Sequence, residues 1–290
     1  FRDEKLDGLY EKYATVKISN CIACGQSQFE QWAETGPYKA FKCMTCDLIF
    51  MNPQLNEIGL NDYYSNYIGK RRLSNVKKME QRSEQYILDA ELIKQFMSEG
   101  NVLDIGCNGG FFLNVLGGRY KRFGTEIDPS AVQYAKNNFP KFGTNIFNGT
   151  IQSAEFSEKQ FDLISMRGVI EHLLEPEASI EEVSRILKPG GYYYISATPN
   201  GASFSAELYR ENWTLFHPVQ HLWHFSPDNL SIICQRHKLK LVWKEFPYLG
   251  TPYENVQQDI IQISQYLDSK DPSVSPAFFE NMMSLVYKKI

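Results

Sequence analysis

Residues 101–128, NVLDIGCNGGFFLNVLGGRYKRFGTEID, constrain the fold of this 290-residue chain more than any other stretch. VLDI is a short apolar run suited to a strand buried on both faces. It runs into Gly106-Cys107-Asn108-Gly109-Gly110 and then FFLNVL, whose apolar residues suit one face of a helix. A strand, a glycine turn and a helix form the arrangement that binds nucleotides. Glycine admits a close backbone approach, and the helix N-terminus offers unpaired N–H groups. About 20 residues on, a second strand, RFGTEI, carries Glu126, an acid placed to accept hydrogen bonds from a ribose diol.

The dehydrogenase spacing GxGxxG is not met. Instead Asp104 stands inside the strand, just ahead of the first glycine. The segment Asp104-Ile105-Gly106-Cys107-Asn108-Gly109-Gly110 resembles motif I of the class I S-adenosylmethionine (SAM)-dependent methyltransferases, (D/E)xGxGxG, with Asn108 at the middle glycine. Asn tolerates positive φ, so the turn is still expected. Further stretches match in order: Asp128-Pro129-Ser130 opening the second helix, NGTIQSAEF, the strand FDLI, SMRGVIEHLLEP, and LKPGG closing a helix. The resemblance covers about residues 80–290. It implies SAM bound by Asp104, Gly106, Cys107, Asn108, Gly110, Glu126, Ile127, Ile151, Gln152, Met166 and Arg167. It likens the chain to the ubiquinone-type and sugar-modifying groups, in which a four-cysteine segment often precedes the core.

From residue 101 onward, strands alternate with helices. The run is NVLDI, helix 109–117, RFGTEI, helix 129–138, TNIFN, FDLISM, helix 177–187, GYYYISAT, helix 226–237, KLVWKEF and MMSLVYKK. The pattern predicts an α/β fold whose mostly parallel sheet carries helices on both faces. Two terminal strands flank a helical insert at 254–269. With the family likeness, they imply a Rossmann-like seven-stranded sheet with an antiparallel last strand.

Cys21, Cys24, Cys43 and Cys46 form CxxC…CxxC with eighteen residues between the pairs. Each pair suits a tight knuckle, and four thiolates suit a structural Zn²⁺ ion in a small ribbon. A closed four-cysteine shell leaves no place for water, so the expected role is folding. Disulfides are the alternative, disfavoured in a reducing compartment. Cys107 and Cys234 read as small core residues. The expected division is a ribbon over 1–53, a helical connector or lid over 54–100, and the cofactor-binding domain over 101–290. Tyr63, Tyr64 and Tyr67 in the connector either cover a ligand or pack it. The basic run KRRLSNVKK is either a solvated face or an attractor of anionic substrate.

Composition narrows the partners. A net charge of −4 and a pI near 5.8 argue against a nucleic-acid or membrane-surface binder. No apolar run approaches the roughly 20 residues that span a bilayer. The charged start, FRDEKLDG, does not suit a signal peptide. A cytoplasmic location is expected, with something upstream of Phe1 removed.

The sulfonium methyl of SAM is already activated, so the protein must align donor and acceptor, exclude water and take a proton from a hydroxyl acceptor. Histidine suits that last task. Glu171-His172 follows the fourth strand at the ligand-binding end of the sheet, and reads either as a helix start or as a catalytic pair. WTLFHPVQHLWHFSP adds His217, His221 and His224. Its spacing across a proline does not make a helical metal pair. Some relatives carry a similar W…P.H…FS stretch, and His221 matches it best. The candidate bases are therefore His221 or His172, then His217, with Glu171 beside them. The expected acceptor is a small polar molecule, first a nucleotide-sugar or glycan precursor, methylated on oxygen or carbon. The alternatives are an RNA methyltransferase gripping RNA through the ribbon, and a SAM-binding scaffold without activity.

Overall fold

The computed structural model describes residues 3–65, 76–269 and 273–290. Tyr67 and the basic side chains of 70–78 lie outside the described residues. The N-terminal part opens with α1 (Glu4–Tyr13) and β1 (Ala14–Val16). It continues through β2 (Phe29–Thr35), β3 (Tyr38–Cys43), β4 (Ile49–Met51) and β5 (Gln54–Leu55) to α2 (Glu57–Tyr63) and α3 (Val76–Phe96). The remainder alternates β6 (Gly100–Ile105), α4 (Phe111–Leu116), β7 (Tyr120–Glu126), α5 (Pro129–Asn138), β8 (Ile146–Asn148) and β9 (Phe161–Arg167). Then come α6 (Pro176–Ile186), β10 (Leu187–Pro199), α7 (Phe204–Tyr209), β11 (Trp223–His224), α8 (Pro227–Arg236), β12 (Leu239–Glu245), α9 (Val256–Ser269) and β13 (Met282–Lys289).

Seven strands form one sheet in the order β12-β13-β10-β9-β6-β7-β8. The pairs β7·β8, β6·β7, β6·β9 and β9·β10 are parallel, whereas β13 runs antiparallel to both β10 and β12. The order reverses between β6 and β9, and their carboxyl ends there open a crevice, the usual ligand position in such sheets. The expected α/β sheet with its antiparallel last strand is therefore present. Val102, Leu103, Leu163, Ile164, Tyr194 and Ile195 on its central strands are fully or almost fully buried, which is why these strands read as continuous apolar runs.

The helix stop expected at LKPGG is present, but the turn expected after it is not. α6 ends at Ile186 and the chain passes directly into β10. Leu187 pairs with Phe161, and the next pair is Tyr192 with Leu163, so Lys188–Gly191 bulge out of register. Gly190 supplies a φ of +77° and Gly191 packs against backbone, so the glycines serve a bulge within one strand.

The N-terminal sheet takes a strand from the far half of the chain. Its order is β11-β4-β3-β2, with Trp223 opposite Phe50 and His224 opposite Ile49. Leu222, the residue before β11, accepts from Met51 N at 3.0 Å and Gln54 Nε2 at 3.1 Å. Arg236 of α8 donates to the carbonyls of Ala23 and Ile22, each at 2.6 Å. The four-cysteine module is thus built into the wall of the larger sheet, and one apolar core runs through both.

Candidate active site

The turn after β6 is shaped by three left-handed residues: Gly106 (φ +68°), Asn108 (φ +49°) and Gly110 (φ +79°). A Cβ on Gly106 would lie 2.7 Å from Val169 Cγ2, so both conformation and space require glycine there. Asn108 is among the few side-chain-bearing residues that enter this region readily. It also organises the turn, since its Oδ1 accepts from Gly109 N at 2.7 Å. Glu126 at the end of β7 accepts from Asn108 N at 2.8 Å and from Asp128 N at 2.9 Å, one bond per carboxylate oxygen. Cys107 fills the space over Gly124 of β7, where a Cβ would meet its sulfur at 2.5 Å.

Asp104 is 3% exposed and accepts from Ser165 Oγ at 2.7 Å. Burial pushes its carboxyl up to about 7, against the opposing pull of the Ser165 hydroxyl and the nearby Arg167. Arg167 keeps 9% of its side chain exposed, toward the cavity, and is bound by Asp89 of α3 through Nε and Nη2. Tyr194 Oη donates to the other Asp89 oxygen at 2.9 Å, and the Tyr86 and Phe112 rings face the guanidinium at 4.4 and 4.9 Å. α3 is thereby bolted to the sheet beside the turn.

The second wall of the crevice is a group of imidazoles around a carboxyl. Ile170–His172 form a 3₁₀ turn after β9, and Glu171 O accepts from Leu222 N at 2.9 Å, which brings the 213–224 loop alongside. Glu171 is 2% exposed; Thr198 Oγ1 donates to its Oε2 at 3.2 Å. Burial pushes this carboxyl up to about 8, with its own backbone N–H and Thr198 opposing. The His172 and His221 rings meet edge to face at 4.8 Å, and His217 lies 4.9 Å from His221. His172 Nδ1 lies 2.8 Å from Gln220 O and His221 Nδ1 lies 2.8 Å from Leu215 O. A carbonyl can only accept, so both Nδ1 atoms carry a proton, and in the neutral ring the lone pair sits on Nε2. Burial, then the neighbouring imidazoles, hold His221 well below the usual histidine range. His224 turns away into the ribbon contact between Trp32, Trp213 and Phe216, buried with neither ring nitrogen hydrogen-bonded.

A cavity of about 540 Å³ joins the two walls. Of the residues singled out in the sequence, Asp104, Gly106, Cys107, Asn108, Arg167, Glu171, His172, His217 and His221 line it. Gly110, Glu126, Ile127, Ile151 and Gln152 stand outside its lining. Gly110 caps α4, and Ile127 is half exposed just past β7. Ile151 is buried in the core, and Gln152 Nε2 donates to Ser179 Oγ at 3.2 Å. Met166 is fully buried and its sulfur accepts from Tyr193 Oη at 3.0 Å. The cavity also takes Arg82, Gln85 and Tyr86 from α3, which sequence reasoning passed over. Their spacing of three and four, continued at Asp89, marks one helix face and was the available clue. Tyr248 and Tyr253 before α9, and Phe278, Asn281 and Met282 before and at the start of β13, complete the rim.

The four cysteines come together beside α8, where Asn229 Nδ2 donates to Cys46 O at 3.4 Å and Arg236 to Ala23 O at 2.6 Å. Cys21 and Cys46 sulfurs lie 3.4 Å apart, and Cys24 and Cys43 sulfurs 3.5 Å apart. A disulfide needs about 2.05 Å, whereas tetrahedral Zn–S bonds of about 2.3 Å set sulfurs roughly 3.8 Å apart. All four are free thiols whose donor atoms lie within 4.8 Å of one another. The knuckles repeat one geometry: Gly25 N donates to Cys21 O and Asp47 N to Cys43 O, with φ of +77° and +59° at Gly25 and Asp47. Donor set and geometry both fit a zinc ion.

Comparison with known proteins agrees with this construction. A family profile described as a methyltransferase domain matches residues 77–243. The chain is 31% identical over 113 residues to the ubiquinone biosynthesis O-methyltransferase of Coxiella burnetii, covering 38% of this chain and 47% of that protein. It is 28% identical over 117 residues to the protein of the same name from Hydrogenovibrio crunogenus, covering 38% and 48%. The match thus spans about half the length of these curated relatives. Among solved structures, the YcgJ protein of Bacillus subtilis shares the fold at a TM-score of 0.50 and 18% identity, covering 71% of this chain and 98% of that one.

Proposed function

The chain belongs to the methyltransferase domain family, and from that premise we propose that it is a SAM-dependent methyltransferase acting on a small polar acceptor. The observation that carries this reading is the single cavity shared by the Asp104–Asn108 turn and the Glu171–His172–His221 wall. SAM fits the first wall. Each Glu126 oxygen is fixed by one backbone N–H and keeps a second lone pair for a ribose hydroxyl. Gly106, Cys107, Asn108 and Gly110 shape the turn, and Ile127 follows Glu126 at the end of β7. Arg167 is neutralised by Asp89, so Arg82 on the cavity lining is suited to the cofactor's carboxylate. When bound, SAM supplies a methyl group already activated on a sulfonium centre.

The acceptor occupies the second wall. The cavity the two walls share has the volume of a small-molecule pocket, and the convergent imidazoles and carboxyl are the polar groups that orient a ligand. Holding the reacting atoms in line contributes about 7–11 kcal/mol in favourable systems. The histidine group, His172, His221 and the more exposed His217, handles the proton of a hydroxyl acceptor, with Glu171 orienting it. A nucleotide-sugar or glycan precursor, methylated on oxygen or carbon, is the first class to try. Zn²⁺ on Cys21, Cys24, Cys43 and Cys46 holds the ribbon that braces this wall through Leu222.

The test is transfer of labelled methyl from SAM to a panel of nucleotide-sugars and other polar hydroxyl compounds. Transfer is expected with at least one class, and it falls strongly in His172→Ala and His221→Ala while SAM affinity is kept. Binding of SAM without transfer to any acceptor class would favour the inactive scaffold.

A further inference from the structure

We infer that Glu171, His172 and His221 form a second metal site, a two-histidine, one-carboxylate cradle for a divalent first-row cation in the acceptor wall. The inference rests on the methyltransferase reading only for what the cation does, and not for its binding. One donor atom from each residue lies within 4.8 Å of the others, and His172 Nε2 stands 3.8 Å from Glu171 Oε1. Cation bonds of about 2.1 Å require donors roughly 3–3.5 Å apart, so inward turns of about an ångström complete the set.

Three independent features favour ligation over ordinary packing. First, each imidazole has its Nδ1–H on a backbone carbonyl, Gln220 O for His172 and Leu215 O for His221. That second bond is what fixes the tautomer and ring plane of metal-binding histidines, leaving Nε2 as the donor. Second, Glu171 is 2% exposed and no Lys or Arg pairs with it among the described residues. Buried carboxyl groups are as a rule paired or bound to a metal, and a bound cation gives this one that partner. Third, the three residues face a cavity, which leaves coordination positions open, as in catalytic rather than structural sites. The ligands come from two segments about 50 residues apart, joined by the bond from Leu222 N to Glu171 O. The helical His217/His221/His224 spacing is not involved, because His224 points into the ribbon contact.

The site assigns a substrate class as well. A cation here holds an acceptor through oxygen, which selects hydroxyl acceptors, and it lowers the pKa of the bound hydroxyl. With Nε2 of His172 and His221 on the cation, the proton falls to the third member of the group, His217, ring to ring 4.9 Å from His221 and more exposed. The oxygen then forms its bond to the methyl carbon as the carbon–sulfur bond breaks, and the electron pair of that bond stays with S-adenosylhomocysteine.

Mn²⁺ is the discriminating probe, because it prefers N and O donors to the four thiolates. The full chain, with its ribbon metal in place, is titrated with Mn²⁺ and the free ion is followed by electron paramagnetic resonance. One Mn²⁺ per chain is expected, weakened at least tenfold in the near-isosteric Glu171→Gln and in His221→Ala. His217→Ala retains binding. Calorimetric SAM binding to the same samples reports that the variants are folded. Absence of Mn²⁺ binding to wild type, or binding indifferent to Glu171→Gln and His221→Ala, overturns the site and leaves the methyltransferase reading intact. Mn²⁺ binding by protein that does not bind SAM would instead sink that reading alone.

Discussion

Asp104 provides a prediction that can be worked from the structure. Its carboxyl is fully buried beside the turn, and burial raises it from 3.8 to about 7 despite the Ser165 hydroxyl and Arg167. The folded chain therefore keeps a proton that the unfolded chain releases between about pH 4 and 7. By linkage, folding stability falls as pH rises across that window, by about 1.4 kcal/mol per pH unit and about 4 kcal/mol in all. Above pH 7 this loss is complete. Asp104→Asn keeps the acceptor oxygen for Ser165 and removes the titration. Urea unfolding of ligand-free wild type and variant at pH 5, 6, 7 and 8 makes the comparison. The variant is expected to gain on wild type by a few kcal/mol between pH 5 and 8. A stability difference that does not change with pH would refute the reasoning. It would mean that Arg167 and the turn's amides solvate the carboxylate as well as water does.

Other perturbations test the scaffold of the site. Asp89→Ala leaves the largely buried Arg167 without its counter-ion and Tyr194 Oη without its acceptor, so a loss of about 3–5 kcal/mol is expected in thermal or urea unfolding; a loss under 1 kcal/mol would show that water replaces the pair. Cys43→Ser is expected to abolish stoichiometric zinc, measured by elemental analysis. Because β4 pairs with β11 and Met51 N bonds Leu222 O, it should also lower methyl transfer more than SAM affinity. Unchanged zinc content would remove the metal from the ribbon, and unchanged transfer would uncouple the ribbon from the acceptor wall.

What was legible in the sequence was local. The turn from Asp104 to Gly110 sits where its glycines demand, and Asn108 takes the left-handed conformation its short polar side chain tolerates. α5 spans Pro129–Asn138 with Asp128 as its cap, accepting from Ser130 N, as the Asp-Pro-Ser signature implies. Each CxxC knuckle is made by five consecutive residues, so its own geometry is local. What was not legible depends on contacts between distant segments. β11 is two residues long, too short for any periodicity, and is a strand only because β4 lies beside it. The Arg167–Asp89 pair links residues 78 apart in sequence, and neither neighbourhood announces the other. The same holds for Glu171 and His221. Spacing within the 213–224 loop argued against a metal there, whereas folding supplies the missing donors from β9's exit. KPGG misled for a related reason: a glycine pair suits a turn and a bulge equally, and only pairing with β9 decides.

Calorimetric titration with SAM and S-adenosylhomocysteine, using wild type, Asp104→Ala and Glu126→Ala, tests the central claim most directly. The account predicts micromolar binding of both ligands, weakened by each substitution and most by Glu126→Ala, whose carboxylate orders the turn through Asn108 N. Well-folded wild type that binds neither ligand would contradict it.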